Sequence, residues 1–170
     1  MLCFDIRSLE SQAATVDDDL AADDPVWQEG DPRLAGPVHV TGRISPAGTG
    51  RFYFSGALEA TVAGECRRCL TDASATVSSD VHLFFAEEDD ETAADDPDVF
   101  PIDPNAHDLD LRPALRQEFL LVAPAFLQCR EDCRGLCPTC GADRNEGACS
   151  CPPSTDSRWA ALRTPRDGAE

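Results

Sequence analysis

The sequence predicts an α+β fold: an antiparallel, barrel-like β-meander packed by one main helix and followed by a small cysteine-rich module. Three observations carry that reading. Apolar residues alternate with period two through segments between 37 and 86. The apolar period becomes helical over 109–122. Six of the nine cysteines then fall in the 23 residues from Cys129 to Cys151. The division that follows is an α+β body over 1–128 and a cysteine-rich module with a short terminal helix over 129–170.

Each element has its own signal. Leu2, Phe4 and Ile6 alternate and predict a short first strand over 2–7. Residues 10–33 carry Asp17-Asp18-Asp19 and Asp23-Asp24-Pro25 and read as mostly loop, with Val26-Trp27 packing back. Val38, Val40 and Ile44 alternate over 37–45, and the stretch from Pro46 to Gly50 supplies turn chemistry. The clearest strand follows. Phe52, Phe54, Gly56, Leu58, Ala60 and Val62 share one face, while Arg51, Tyr53, Ser55, Glu59 and Thr61 share the other. Period two over that length needs a sheet with one buried face. Val77, Val81, Leu83 and Phe85 continue it over 74–86, which places Cys66–Cys69 in or beside the second connection. Residues 87–98 hold eight acidic side chains and read as a solvated loop without apolar anchors. Leu111, Leu115, Phe119 and Val122 then mark a helical stripe. Asp110 is placed to cap it, Pro113 suits its first turn and Pro124 ends it. A second short helix is expected over 157–162.

Charge narrows the functional classes. The chain carries 32 acidic and 14 basic residues, for a net of −18, and every basic residue is Arg. Residues 1–128 account for −17 of that charge and residues 129–170 for −1. An acidic surface attracts basic partners and repels bare phosphate backbone, so the near-neutral tail is the place for any nucleic-acid contact. A run of about 18 apolar residues, the minimum for a transmembrane helix, is missing. The start lacks the apolar stretch of a secretory signal, and the expected location is a bacterial cytoplasm.

The cysteines point to metal. Their pattern is Cys129-x3-Cys133-x3-Cys137-x2-Cys140-x8-Cys149-x-Cys151. A C-x2-C turn brings two sulfurs onto one ion; Pro138 fixes one angle of that turn, and Gly141 permits the reversal after it. Cys149 and Cys151 are the nearest second pair, returned by the turn at Asn145-Glu146-Gly147. No histidine lies nearby, so an all-thiolate zinc site at Cys137, Cys140, Cys149 and Cys151 is indicated. The segment is too short to bury a core, so metal would supply its folding energy. Cys129 and Cys133 stay open. One of them could replace a ligand of that site, or both could join Cys66 and Cys69 in a second site that docks the tail onto the body. One zinc ion is expected and two are possible. Cys66-Arg67-Arg68-Cys69 also admits a redox reading, disfavoured because reactive pairs sit at a helix start and this one sits in a meander. Arg67 and Arg68, with Arg134 and Arg144, form the candidate contact for RNA or a partner.

Catalytic signatures are missing: no Gly-rich phosphate loop after a strand, no G-x-S-x-G, no H-E-x-x-H. A closed thiolate site leaves no position for a substrate water. The expectation is a binding protein, not an enzyme, with no small-molecule substrate.

Glu65-Cys66-Arg67-Arg68-Cys69-Leu70 after a long strand resembles the C-x-R-C signature of the YceD-like proteins. Cys129-x3-Cys133-Arg134-Gly135-Leu136-Cys137-Pro138-x-Cys140-Gly141, then Asn145 and Cys149-x-Cys151, resembles their C-x-GLCP-x-CG segment. Asp156-Ser157-Arg158-Trp159-x-x-Leu162 is similar to their tail. That family is described as a large ribosomal RNA subunit accumulation protein. The resemblance implies a role in ribosome biogenesis, supporting 23S ribosomal RNA, with a large-subunit ribosomal protein, 23S ribosomal RNA or a pre-ribosomal particle as partner. Some relatives keep the first cysteine pair without the C-terminal cluster. Two other readings stand beside it: a cytoplasmic thiol redox protein using Cys66 and Cys69, and a zinc-stabilised interaction module unrelated to ribosomes.

Overall fold

Residues 2–87, 98–152 and 158 are described by a computed structural model of the chain. The acidic run between Glu87 and Asp98 and the expected helix over 157–162 lie outside the described residues, apart from the run's two ends and Arg158.

The chain opens with β1 (Cys3–Asp5), which turns at once into α1 (Ile6–Ser11). Alternation at Leu2, Phe4 and Ile6 predicts a longer strand. Asp5 ends it by capping the helix, its side chain accepting from the Ser8 N–H at 2.8 Å. The next element corrects the expectation of a loop. Ala14–Leu20 forms β2, antiparallel to β3 (Val38–Gly48). Val16 and Leu20 are buried, while Asp17 and Asp19 face outward. Asp is depleted in strands generally, which hides this one. At a sheet edge, outward carboxylates oppose pairing with another chain. His39 lies across the ladder from Asp19, with its Nδ1 2.9 Å from the carboxylate.

β3, β4 (Arg51–Glu65) and β5 (Asp72–Glu87) form the expected antiparallel meander. β6 (Val99–Ile102) adds in parallel to β5, giving a five-stranded sheet of order β2-β3-β4-β5-β6. The sheet is open, with β2 and β6 at its two edges. The barrel-like part of the expected fold is therefore corrected: among the described residues no strand pairing joins those edges. A two-stranded ribbon of β1 with β7 (Asp108–Asp110) stands apart from it.

One face of the sheet is the core. Phe52, Phe54, Leu58, Ala60 and Val62 of β4 are buried there, as their alternation predicts. Gly56 shares that face because no side chain fits. A Cβ on Gly56 would lie 2.1 Å from the Thr41 carbonyl and 2.7 Å from the Phe54 ring, across from Gly42. Helix α2 (Arg112–Val122) closes the core with Ala114, Leu115 and Phe119. Asp110 does not occupy the cap position; Leu111 does, without a side-chain cap. Asp110 instead accepts from the Arg112 N–H at 3.0 Å and pairs with its guanidinium. Trp27 meets Phe119 edge-on at 5.4 Å, so Val26-Trp27 does pack back. Arg116 of α2 binds Asp31 in the β2–β3 connection with two hydrogen bonds of 2.7 and 2.8 Å.

The long hairpin of β4 and β5 runs beyond the helix-covered core. Its far end carries the Cys66–Cys69 turn, and the chain returns to that end after α2.

Candidate metal centres

The two C-x2-C segments fold into the same shape. In the first, Leu70 N–H donates to the Cys66 carbonyl at 2.9 Å and Cys66 N–H to the Thr71 carbonyl at 2.8 Å. In the second, Gly141 N–H donates to the Cys137 carbonyl at 2.9 Å and Cys137 N–H to the Ala142 carbonyl at 2.8 Å. The residue after the second cysteine is left-handed in both: Leu70 at φ +62° and Gly141 at φ +73°. That backbone aims N–H groups at the first sulfur of each pair. The amides of Cys129, Cys69 and Arg68 pull the Cys66 thiol down to about 6. Those of Cys140 and Thr139 do the same for Cys137, also to about 6.

Each knuckle is completed by a second pair. Cys66, Cys69, Cys129 and Cys133 form one cluster, and Cys137, Cys140, Cys149 and Cys151 form another. Within each, the four sulfurs lie within 4.8 Å of one another. Tetrahedral zinc with Zn–S bonds of about 2.3 Å holds its sulfurs about 3.8 Å apart. The Cys66–Cys133 sulfurs are 3.8 Å apart and the Cys69–Cys129 sulfurs 3.5 Å apart. These spacings are far longer than the disulfide bond of about 2.05 Å, and all nine cysteines are unpaired. Four thiols within 4.8 Å of one another in each cluster fit a closed structural site.

Electrostatics agrees with that fit. Cys129 is exposed as a residue, but its sulfur faces the cluster; burial and then the Cys69, Cys133 and Cys66 sulfurs push it up to about 12. In the second cluster the Cys140 sulfur, with burial, pushes Cys151 up to about 12. Four sulfurs so close cannot all ionise alone, and a divalent cation is what would let them. Burial opposes ionisation of Cys133 too, but the Gly135 N–H and the Asn145 amide outweigh it and hold its thiol below the ordinary range.

Asn145 is the residue that sequence reasoning missed, having assigned it to a turn. It sits in the loop between Cys140 and Cys149, yet its Nδ2 is 3.5 Å from the Cys133 sulfur and its Oδ1 accepts from the Arg134 N–H at 2.7 Å. The loop of the second cluster thereby clamps the first. A further bond joins tail to body, Leu136 N–H to the Arg68 carbonyl at 3.0 Å, and beside it Arg67 N–H donates to the carbonyl of Leu127, just before the tail, at 2.9 Å. Gly135, at φ +67°, leaves no room for a side chain there, since a Cβ would sit 2.8 Å from the Arg68 carbonyl. The boundary drawn at 128/129 thus passes between sulfurs of one cluster.

Arg67, Arg68, Arg134 and Arg144 lie around this junction. Arg144 N–H donates to the Gly135 carbonyl at 3.0 Å, next to the Leu136–Arg68 bond. The Arg67 guanidinium lies over the Phe126 ring at 5.7 Å. The ninth cysteine, Cys3, is in β1 beside Asp110 and belongs to neither cluster. Among the described residues no helix is long and apolar enough to cross a membrane.

Uncharacterized proteins from Mycobacterium bovis and from two strains of Mycobacterium tuberculosis are 32% identical over 111 residues, which is 64% of this chain. The chain spans about half the length of these curated relatives, 52% of each. No solved structure matches it significantly. The family profile described as "Large ribosomal RNA subunit accumulation protein YceD" matches residues 54–164, a stretch that holds all eight clustered cysteines. The chain belongs to the YceD family.

Proposed function

We propose that this protein is a non-enzymatic factor in ribosome biogenesis, supporting accumulation of 23S ribosomal RNA and assembly of the large ribosomal subunit. Family membership across both thiol clusters is the observation that carries this reading. Two zinc ions act as structural clips in it. One folds the Cys137–Cys151 segment; the other staples that segment to the β4–β5 turn. The body stays acidic and the Arg-bearing edge sits at the staple, where a bacterial cytoplasmic pre-ribosomal particle would be met through a basic large-subunit protein or through its RNA.

Elemental analysis of the purified chain should return two zinc ions, falling to one in Cys137→Ser and to one in Cys66→Ser. Sucrose gradients of a deletion strain should show a depleted large-subunit peak, restored by the parent chain. An unchanged peak would sink the ribosomal reading and leave a zinc-stabilised interaction module. The lowered Cys66 thiol favours a redox reading. Against it, Cys66 and Cys69 are both buried, and two further sulfurs share their space. Insulin reduction by the parent chain, abolished in Cys66→Ser and Cys69→Ser, would revive it.

A further inference from the structure

A groove of about 640 Å³ runs between the end of α2 and the Cys66–Cys69 knuckle. Its floor is apolar, with Val62, Leu120 and Leu127, and Arg33 and Arg67 stand at its walls. Two side chains that water should disfavour project at its rim. Phe126 is 69% exposed and Leu70 is 59% exposed. Leu70 is held left-handed, a conformation that strains a non-glycine residue. One face of the Phe126 ring carries the Arg67 guanidinium.

Charge says what such a groove would take. In a chain of net −18, arginines should find carboxylates, and Arg112, Arg116 and Arg130 do. Arg33, Arg67, Arg68, Arg134 and Arg144 form no ion pair with any described carboxylate. The Arg67 guanidinium over the exposed Phe126 ring, with Arg33 on the same groove, is complementary to a phosphate backbone with free bases. Glu65, which also lines the groove, is the carboxylate that works against an anion there.

We propose that this groove seats single-stranded RNA, with Phe126 as the stacking surface for a base and Arg33 and Arg67 on the flanking phosphates. An exposed aromatic ring backed by an arginine is a sequence-tolerant platform, because every base has a π-face. A duplex, with its bases already stacked, would gain nothing from Phe126. The inference rests on the ribosomal reading for its RNA source and deepens it by naming the contact.

The test uses the full zinc-loaded chain and a fluorescent mixed-sequence oligoribonucleotide, single-stranded or annealed. Single strand should bind, with affinity falling as salt rises. Phe126→Ala should weaken binding roughly ten-fold or more while zinc content and circular dichroism stay unchanged. Arg67→Ala should flatten the log–log salt slope by roughly 0.7. Binding that ignores Phe126→Ala, or no binding even at low salt, overturns the proposal. A photoreactive phenylalanine analogue at position 126 decides between partner classes in cells. A ribonuclease-sensitive adduct supports RNA; a protein adduct indifferent to ribonuclease overturns it in favour of a polypeptide. In a deletion strain that does lose its large-subunit peak, full rescue by a Phe126→Ala, Arg67→Ala chain defeats this inference and leaves the ribosomal reading standing. A deletion strain with a normal peak defeats that reading instead, and the oligoribonucleotide result still judges the groove.

Discussion

Leu70 and Gly141 occupy equivalent places in two knuckles with the same hydrogen bonds, and only one of them is the residue that position favours. A left-handed Leu carries steric strain that Gly escapes. Leu70→Gly should therefore stabilise the chain by a few tenths to about 1 kcal/mol, and Gly141→Ala should cost about 1 kcal/mol. Gly135→Ala should cost more, about 2–3 kcal/mol, because its Cβ would drive into the Arg68 carbonyl and break the Leu136 hydrogen bond as well. Thermal melts of the zinc-loaded variants would rank them. A Gly141→Ala penalty as large as that of Gly135→Ala would refute the role given to the Arg68 contact. At this scale the second cluster was legible in the sequence, because its four cysteines lie within a short stretch and spacing alone brings them together. The first cluster was only one of two alternatives. Its pairs are separated by 60 and 67 residues, and no local pattern says which distant strand end a tail will reach. Asn145 was illegible for a related reason: its partner, Cys133, belongs to the other cluster.

Elements show where local propensity misleads. β4 and β5 were readable because period two runs unbroken through them, with one face buried along its length. β2 was not, because three consecutive Asp residues outweigh two buried apolar ones in any local scale. Tertiary pairing to β3 decided it. The same acidic loop region supplies Asp31, whose bond to Arg116 ties the β2–β3 connection to α2. That pair is mostly sheltered, with side-chain exposures of 11% and 19%. The Arg116 guanidinium holds the Asp31 carboxyl below its ordinary range, helped by the Gln28 N–H and opposed by burial. A depressed folded-state value stabilises the fold fully above the unfolded carboxyl's value, near 3.9, and is lost as pH falls through the folded value. Asp31→Asn should cost about 1–3 kcal/mol at neutral pH, as for a charge-assisted bond. That deficit should shrink below about pH 4, so urea midpoints of the two proteins converge in acid. A gap that stays constant down to strong acid would show that the carboxylate's charge contributes nothing.

The whole molecule is two stabilising systems joined at one junction. The body is held by a contiguous apolar core from Leu2 to Leu127. Among the described residues the tail has no comparable core; Cys66, Cys69 and Cys133, with Ala73 and Leu136 against them, make up the small cluster on which it rests. Thiolate sites of this kind contribute about 10–16 kcal/mol of apparent binding energy in small zinc peptides. That rivals the entire stability of an ordinary domain, about 5–15 kcal/mol. Metal should therefore govern the tail and leave the sheet alone. The two centres should also differ. Cys66, Cys69 and Cys133 are buried in the first, whereas the second buries only Cys137 and leaves Cys140 exposed. A strong chelator should empty the second centre first. Hydrogen exchange should then open the Cys137 and Gly141 amides, which close that knuckle, while the Leu136 amide bonded to Arg68 opens only when the first centre is lost. Amides of β3, β4 and β5 should keep their protection throughout, except near Cys66. Loss of sheet protection together with the first metal equivalent would mean that the staple supports the body, and that the tail is not an appendage but part of one cooperative fold.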